Sequence, residues 1–291
     1  MTPISKILVP VDFSERCQEA TRYAAALACR FHSELTLLHV FIQPWAAYSS
    51  PEGYATPPPY DLDSTYQQVN ERLDDFLKDE LQNFNVRRVV TCGEPASLIV
   101  DIAASEHYDL IVMPTHGYGP FRRFLLGSIT AKVLHDAPCP VFTGPHLEHP
   151  PSREDPSFRK VLCALDTCKE NRRVLEWVAG FAGHFGSQIG IVHVLPESTR
   201  RAEGIYFDSQ WRADLAESAR VQLTFLKSEL NVEGELMIRT GEIPEEVRTA
   251  AETFEANAVV IGHGCSSGIM GRLRSNTYGI IRESGCPVVV I

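Results

Sequence analysis

The sequence predicts an α/β protein of two tandem domains, each an open, doubly wound parallel sheet. Short β-branched apolar runs alternate with amphipathic stretches along the chain, which favours parallel strands joined by right-handed helical crossovers. The chain also repeats itself, because KILVPVDFS near its start returns as KVLCALDTC in its middle. His39-Val40 returns as His193-Val194 with the same offset of 154 residues. These matching segments predict two copies of the same fold.

The length of 291 residues suits two domains, since single domains commonly run to about 100–200 residues. We expect the first domain at residues 1–144 and the second at residues 158–291. Between them, residues 145–157 are rich in proline and charge, which predicts a linker. Residues 43–60 are rich in proline and aromatic side chains, and they are expected to form a long loop.

In the first domain, the apolar run of residues 7–11 is typical of a strand covered on both faces. A helix follows, because apolar residues recur at helical spacing from Ala20 to Leu27 and Ser14 can cap its start. The remaining strands are expected at residues 34–40, 86–90, 110–113 and 140–143. The remaining helices are expected at residues 69–81, 96–105 and 128–135.

The second domain repeats this order. Its strands are expected at residues 161–165, 189–194, 235–238, 258–261 and 287–291. Thr167 and Glu170 have the spacing of a capping box at the start of its first helix. Ligands of doubly wound sheets bind beyond the carboxyl ends of the strands, where the strand order switches. Residues just after the first, second and fourth strands are therefore the candidates for a site.

Composition restricts the classes of partner. A net charge of −10 argues against a nucleic-acid binder, whose affinity depends on Lys and Arg neutralising phosphates. No apolar run approaches the roughly 18 residues of a membrane span, and the first residues lack a signal-peptide pattern. The eight cysteines form no CxxC pair, which favours reduced thiols and a cytoplasmic location.

The candidate binding chemistry concentrates after the fourth strand of the first domain. Residues 113–117 read Met-Pro-Thr-His-Gly, and after nine more residues comes Gly127, followed by Ser128-Ile129-Thr130. Glycine lets backbone amides approach an anion closely, and the start of a helix favours phosphate. The hydroxyls of Ser128 and Thr130 could donate further hydrogen bonds. The alternative interpretation is a turn followed by a capped helix, with no ligand.

This loop resembles the ATP-binding signature of the universal stress protein family, G-x2-G-x9-G-[ST]. The resemblance covers both halves and includes VPVDFS at residues 9–14 and APCPV at residues 137–141. It implies a Rossmann-like fold similar to that of the adenine nucleotide α-hydrolases. The ligand it implies is ATP or AMP, with or without Mg²⁺, bound by a protein of the stress response.

Carried over by position, Asp12 would lie at the adenosine and Val40 would pair with adenine through its main chain. The residues that would hold the ribose and phosphates follow the fourth strand: Met113, Gly117, Gly127, Ser128, Ile129 and Thr130. Pro114 departs from the family pattern, because it stands where the signature has its first glycine. Proline removes an N–H group there and restricts Met113.

The second domain departs further from the signature. Arg274 stands where the first domain has Gly127. The candidate residues that keep their first-domain equivalents are Asp166, Val194, Gly264 and Ser275. A bulky cation at position 274 either clamps an anion or fills the pocket. We therefore expect nucleotide binding mainly in the first domain, with the second site altered or lost.

A different function is a scaffold, or a stress protein that binds a small hydrophobic ligand and whose nucleotide sites have decayed. The substitutions at Pro114 and Arg274 favour it, as does an aromatic loop formed by Trp45, Tyr48, Tyr54 and Tyr60. Dedicated catalysis is not expected, because no ordered Ser/His/Asp or Cys/His grouping accompanies Asp12 or Asp166, and at most slow ATP hydrolysis is left open.

Two further features concern metals and partners. His263 and Cys265 lack the spacing of a closed four-ligand zinc site, so no metal site is predicted. Residues 140–143 and 287–291 would be apolar sheet edges, which invite pairing. In the resembling family the last strands pair between subunits, which implies an internal pseudo-dimer here and leaves a homodimer of the whole chain open.

Overall fold

The fold was analysed in a computed structural model that describes residues 4–42, 61–117, 126–144, 147, 158–166, 171–196, 209–263 and 272–291. Only the backbone is described for residues 209–210 and 272–275. The chain divides into two compact units, formed mainly by residues 2–141 and by residues 157–291.

The first unit alternates strands and helices as predicted. Its elements are β1 (Lys6–Pro10), α1 (Glu15–Phe31), β2 (Glu34–Phe41), α2 (Leu62–Asp75), α3 (Lys78–Leu81), β3 (Val86–Cys92), α4 (Pro95–Ser105), β4 (Leu110–Val112), α5 (Ser128–Asp136) and β5 (Val141–Thr143). The strand order is β3-β2-β1-β4-β5. Strand β1 pairs in parallel with both β2 and β4. Because β2 and β4 lie on opposite sides of β1, the order switches there, and a crevice opens at the carboxyl ends.

The local signals in this unit act as the sequence predicts. Ile7, Leu8 and Val9 are fully buried, so β1 is covered on both faces. Ser14 caps α1 by accepting a hydrogen bond from the N–H of Cys17 at 3.2 Å. The helix ends at His32, whose left-handed backbone conformation stops it.

The helix predicted over residues 69–81 is interrupted, which is a difference from the sequence prediction. Helix α2 ends at Asp75, and Leu77 takes a positive φ of 51° before α3 begins. The cause lies on β3, where Arg88 donates from Nε to the Leu73 carbonyl at 3.0 Å and from an Nη to the Phe76 carbonyl at 3.3 Å. These bonds satisfy carbonyls that a continuing helix would use itself. The break lets the buried Phe76 ring pack edge-on against Phe13 at 5.7 Å.

The second unit repeats the architecture. Its elements are β6 (Lys160–Ala164), α6 (Asn171–Phe185), β7 (Gln188–Pro196), α7 (Ser209–Glu229), β8 (Glu235–Gly241), α8 (Ile243–Phe254), β9 (Ala258–Ile261), α9 (Arg272–Glu283) and β10 (Val288–Val290). The strand order β10-β9-β6-β7-β8 matches that of the first unit. The α/β fold class, with two tandem domains of the same parallel strand order, is thereby confirmed. The proposed capping box at Thr167 and Glu170 lies outside the described residues.

Two general properties follow from the described part of the chain. Among its helices, none is both long and apolar enough to cross a membrane. Its six cysteines are free thiols, and four of them are buried: Cys17, Cys139, Cys163 and Cys286. Burial raises the pKa of the Cys286 thiol to about 11, so this thiol stays protonated at neutral pH.

Candidate functional site

A cavity opens at the carboxyl ends of the first unit's strands and encloses about 1000 Å³, including space open to solvent. All eight first-domain candidates line it: Asp12, Val40, Met113, Gly117, Gly127, Ser128, Ile129 and Thr130. Pro95 and Ile99 of α4 provide an apolar wall that the sequence did not assign to the site. The structure therefore brings together residues that lie more than a hundred positions apart in the chain.

The Asp12 carboxylate is held in a fixed position between two segments. Its Oδ1 accepts hydrogen bonds from the N–H of Ser14 at 2.9 Å and from the Ser14 hydroxyl at 2.6 Å. Its Oδ2 lies against the Cα atom of Gly117, where a Cβ atom would overlap that oxygen. Gly117 is thus required for the space that the carboxylate occupies.

The main chain of Val40 faces the cavity. Just after β1, the Val11 N–H donates a hydrogen bond to the Leu38 carbonyl of β2 at 2.8 Å. The N–H and C=O groups of alternate residues point to the same side of a strand, so those of Val40 also point towards β1. Phe41 points the other way, since its carbonyl accepts from Gly93 at 3.0 Å. Beyond the end of β1, the Val40 groups form a donor and acceptor pair at the cavity wall.

His39 belongs to this wall and was not assigned a role from the sequence. Its Nδ1 lies 2.6 Å from the Val11 carbonyl, and because a carbonyl only accepts, Nδ1 carries the proton. The centroid of the His39 ring lies 4.6 Å from the centroid of the Phe13 ring. The Arg72 guanidinium lies 4.0 Å from the centroid of the same Phe13 ring. The pKa of His39 is lowered from its usual value. Burial is the main cause and the positive charge of Arg72 also lowers the pKa, whereas the hydrogen bond to Val11 raises it.

The repeat itself is the signal that could have found this histidine. In the second unit, His193 places Nδ1 at 2.8 Å from the Leu165 carbonyl. The same bond therefore joins the second strand to the end of the first strand in each unit. A histidine near the end of the second strand that returns at the repeat offset of 154 residues marks this structural role in both copies.

The start of helix α5 opens into the cavity. Its N-cap residue Gly127 makes no side-chain capping bond, so the N–H groups of Ser128, Ile129 and Thr130 have no cap within the helix. Gly127 itself is anchored, because its N–H donates to the Thr115 carbonyl at 2.8 Å. The Thr130 hydroxyl differs from expectation, since it donates to the Pro114 carbonyl at 3.1 Å and not towards a ligand. Pro114 therefore retains a structural role despite lacking an N–H.

Arg16 brings a positive charge to the same edge of the cavity. This residue lies in the first turn of α1, and its Nη1 donates to the Gly117 carbonyl at 3.2 Å. Arg16 was not among the residues predicted from the sequence, because nothing local indicates that α1 reaches the loop after β4. At the corresponding position of the second half the sequence has Glu170, so the charge reverses between the repeats.

A polar network fixes the direction of α5. Glu94 caps α4 by accepting from the N–H of Ala96 at 3.3 Å and of Ser97 at 2.8 Å. Lys132 of α5 bonds both Glu94, at 3.0 Å, and the Ser97 hydroxyl, at 2.8 Å. The bonds from Ser97 and Lys132 lower the pKa of Glu94 to about 2.

We expect Glu94→Gln to destabilise the protein by less than about 1 kcal/mol at neutral pH, because the pair is exposed. The pKa of Glu94 is depressed by folding, so its stabilising effect is complete above 4.5 and is lost as the pH falls towards about 2. Urea unfolding midpoints measured at about pH 7 and about pH 3 should differ less in the variant than in the native protein.

The matched control is Glu242→Gln, since Glu242 holds the equivalent N-cap position of α8 but makes no side-chain capping bond. Its midpoints should follow those of the native protein at both pH values. Equal losses in the two variants would contradict the role given to the Glu94 network.

The second unit has its own cavity at the matching edge, of about 780 Å³ including space open to solvent. Two candidates from the sequence, Asp166 and Val194, line it together with Thr277. Gly264 and the side chains of Arg274 and Ser275 lie outside the described residues. Helix α9 begins at Arg272, three residues ahead of Ser275, whereas α5 begins at the matching Ser128.

That extra turn changes the donors at the cavity. In an α-helix only the first N–H groups lack an intrahelical acceptor. The N–H groups of Asn276 and Thr277 lie past the first turn of α9 and bond within the helix. Their first-unit equivalents, Ile129 and Thr130, begin their helix and face the cavity. Among the described residues, no group of three or more His, Cys, Asp or Glu side chains forms a metal cluster in either unit.

These features define a tandem doubly wound α/β protein with a candidate ligand cavity at the strand ends of each unit. Comparison with known proteins identifies the family. The model described as the universal stress protein family matches residues 3–143 and, a second time, residues 157–291. The chain belongs to the universal stress protein family and carries two of its domains in tandem, which confirms the resemblance seen in the loop.

Individual relatives agree with this assignment. A universal stress protein of Methanocaldococcus jannaschii is 30% identical over 153 residues, which cover 47% of this chain and 91% of that protein. The universal stress protein YxiE of Bacillus subtilis is 28% identical over 142 residues, covering 47% of this chain and 96% of its own. The crystal structure of a universal stress protein from Archaeoglobus fulgidus matches with a TM-score of 0.66 and 25% identity, covering 98% and 95% of the two chains.

Proposed function

We propose that this protein binds an adenine nucleotide, ATP or AMP, in its first unit and acts in the stress response. The observation that carries the proposal is the uncapped start of α5, which lies in the same cavity as the Val40 main chain. Three N–H groups at a helix start suit a phosphate. A strand-edge N–H and C=O pair suits the edge of a purine base.

The polar groups of the cavity can be matched to the parts of a nucleotide. Adenine would pair with the Val40 main chain and lie against the apolar wall of Pro95 and Ile99. The Asp12 carboxylate would accept hydrogen bonds from ribose hydroxyls. The phosphates would lie at Gly127 and the first turn of α5, with Arg16 close enough to the Gly117 carbonyl to add counter-charge.

The second unit is proposed to have lost this phosphate site. Its Asn276 and Thr277 N–H groups are used within α9, and Glu170 replaces the positive charge of Arg16. Asp12 is proposed to act as a ligand and not as a catalytic base. We expect binding in the cytoplasm, in line with the free thiols of the described cysteines. Pairing of the two units, or of two chains, through their last strands stays a prediction.

Isothermal titration calorimetry of the nucleotide-free two-domain chain tests this function. ATP and AMP should each bind at one site per chain, with ATP the tighter ligand, and Mg²⁺ should be varied because the phosphates can recruit it. Arg16→Glu, which copies the second repeat, should weaken ATP by about tenfold or more and AMP by less, since a charge-assisted hydrogen bond contributes about 1.5–3 kcal/mol.

Arg30→Glu is the matched control, because it makes the same change of charge at the far end of α1. It should leave both affinities unchanged. A lack of any heat at millimolar ATP would refute the proposed function. Equal losses for Arg16→Glu and Arg30→Glu would show that only net charge matters and that Arg16 does not act at the site.

A further inference from the structure

The turn between β1 and α1 contains a phenylalanine in an unusual backbone conformation. Phe13 has a positive φ of 66°, which lies in the left-handed region that bulky side chains rarely adopt. Both ends of the turn are fixed. The N–H and the carbonyl of Val11 each make a hydrogen bond to β2, and Ser14 is the N-cap of α1. Asp12 lies between these fixed ends, so the direction of its carboxylate depends on the backbone at Phe13.

The Phe13 ring is held by side chains from β2 and from the end of α2. The His39 ring lies 4.6 Å away between centroids, and the Phe76 ring packs edge-on at 5.7 Å. The Arg72 guanidinium lies 4.0 Å from the centroid of the Phe13 ring. Aromatic pairs and a cation over a ring are both attractive. Because a left-handed backbone at a bulky residue persists only where its surroundings hold it, these contacts stabilise the turn.

The side chains around Phe13 are themselves anchored to the sheet. Phe76 is buried, and its carbonyl accepts a hydrogen bond from Arg88 of β3 at 3.3 Å. Earlier in α2, the Tyr66 ring packs edge-on against Phe41 of β2 at 4.8 Å. Helix α2 therefore holds the Phe13 ring from a fixed position.

The turn determines where the Asp12 carboxylate lies before any ligand binds. Its Oδ1 accepts two hydrogen bonds from Ser14, and its Oδ2 lies beside Gly117 at the cavity. A group that is already in place loses little conformational freedom when a ligand binds, and this preorganisation increases affinity. Among the described residues that line the cavity, Asp12 is present and Phe13 is absent. Any effect of Phe13 on a ligand must therefore pass through Asp12.

The sequence of the second repeat differs at this point. It keeps Asp166 and His193, but Thr167 stands where the first repeat has Phe13. Threonine has no ring to pack between a histidine and a second aromatic side chain. The aromatic ring thus distinguishes the copy that is proposed to bind a nucleotide.

We propose that Phe13 is a positioning residue of the first-unit site, whose packed ring holds the turn that directs the Asp12 carboxylate at the ribose hydroxyls. The inference rests on the proposed function, because it concerns the nucleotide bound there. It adds that the preference of the site for a ribose with free hydroxyls is set by a side chain outside the cavity.

The test compares ATP with 2′,3′-dideoxy-ATP, which lacks both ribose hydroxyls, by isothermal titration calorimetry of the two-domain chain. The native protein should bind ATP about tenfold or more tightly than the dideoxy nucleotide, because hydrogen bonds to the carboxylate are lost. Phe13→Asn removes the ring but keeps a residue that adopts the left-handed backbone readily. Its preference for ATP should fall below about threefold, with the dideoxy affinity changed by less than about twofold. Phe13→Tyr keeps the ring and should retain the native preference.

A second variant tests the same contact from the side of α2. Arg72→Met removes the cation over the ring and should lower the preference for ATP by about twofold to threefold. Lys78→Met is the matched control, because it removes an exposed positive charge from the neighbouring α3. It should leave the preference unchanged. The Met variant keeps the inference testable if Phe13→Asn does not fold, which circular dichroism would show.

The outcomes separate this inference from the proposed function. A native protein that does not bind ATP would refute both. If the native protein binds both nucleotides equally, nucleotide binding stands and the inference is overturned. It is also overturned if Phe13→Asn keeps the native preference, or weakens both nucleotides by the same factor, since the residue would then have only a structural role.

Discussion

Gly127→Arg is expected to remove ATP binding from the first unit, with a loss of affinity of more than about 100-fold. Gly127 lines the cavity directly before the uncapped N–H groups of Ser128 and Ile129. A long side chain at this point would occupy the space into which a phosphate must come to reach those groups. The change copies Arg274 of the second repeat, so it also tests why the two halves differ. Isothermal titration with ATP measures the loss, and circular dichroism monitors the fold.

Gly127→Ala separates the effect of the arginine from the loss of glycine. The backbone at Gly127 has φ −64° and ψ 146°, which any residue adopts. A Cβ atom there would lie 3.4 Å from the Thr115 carbonyl oxygen, an ordinary contact. The alanine variant should therefore fold normally and keep most of its ATP affinity. Native affinity in Gly127→Arg would mean that the phosphates do not lie at this helix, and the site assignment would be wrong.

Gly117→Ala is expected to destabilise the first unit by about 1–3 kcal/mol, the usual effect of forcing an extra methyl group into a packed site. The added Cβ would overlap Oδ2 of Asp12 and come within 3.3 Å of its Cγ. The carboxylate must then move, which breaks its hydrogen bonds to the N–H and hydroxyl of Ser14. Because Ser14 also caps α1, the disturbance reaches the helix.

A double-mutant cycle identifies the cause. In an Asp12→Ala background the overlapping atoms are absent, so adding Gly117→Ala should cost less than about 0.5 kcal/mol. Urea unfolding midpoints of the four proteins provide the measurement. A cost that is the same in both backgrounds would contradict the overlap with Asp12. ATP affinity should fall in Gly117→Ala as well, since the carboxylate proposed to bind ribose is displaced.

Local patterns predicted most of the fold correctly. Strand β1 was predicted from a short apolar run, and the Ser14 cap from a serine just ahead of the helical apolar spacing. The prediction failed at Leu77, where the amphipathic stripe continues but the helix does not. That break depends on Arg88, which reaches the carbonyls of Leu73 and Phe76 from another strand. The apolar periodicity of the helix sequence does not indicate such a contact.

The candidate site divides in the same way. Its location after strands one, two and four was predicted, because the topology of a parallel sheet brings those ends together. The loop glycines were identified by their spacing. His39 and Arg16 were missed as site residues, because their contacts with Val11 and Gly117 join segments separated by many residues.

The sequence by itself determined the duplicated α/β fold and the family, and it predicted the carboxyl ends of the strands as the place of a ligand site. These depend on apolar periodicity, on a repeat whose matching residues return in the same order and on one glycine-rich spacing, all of which are features of the sequence itself. Only the tertiary structure decided that Gly117 makes room for Asp12, and that α9 starts a turn earlier than α5. The physical reason is that space and hydrogen-bond partners are shared between distant segments, so they exist only once the chain has folded.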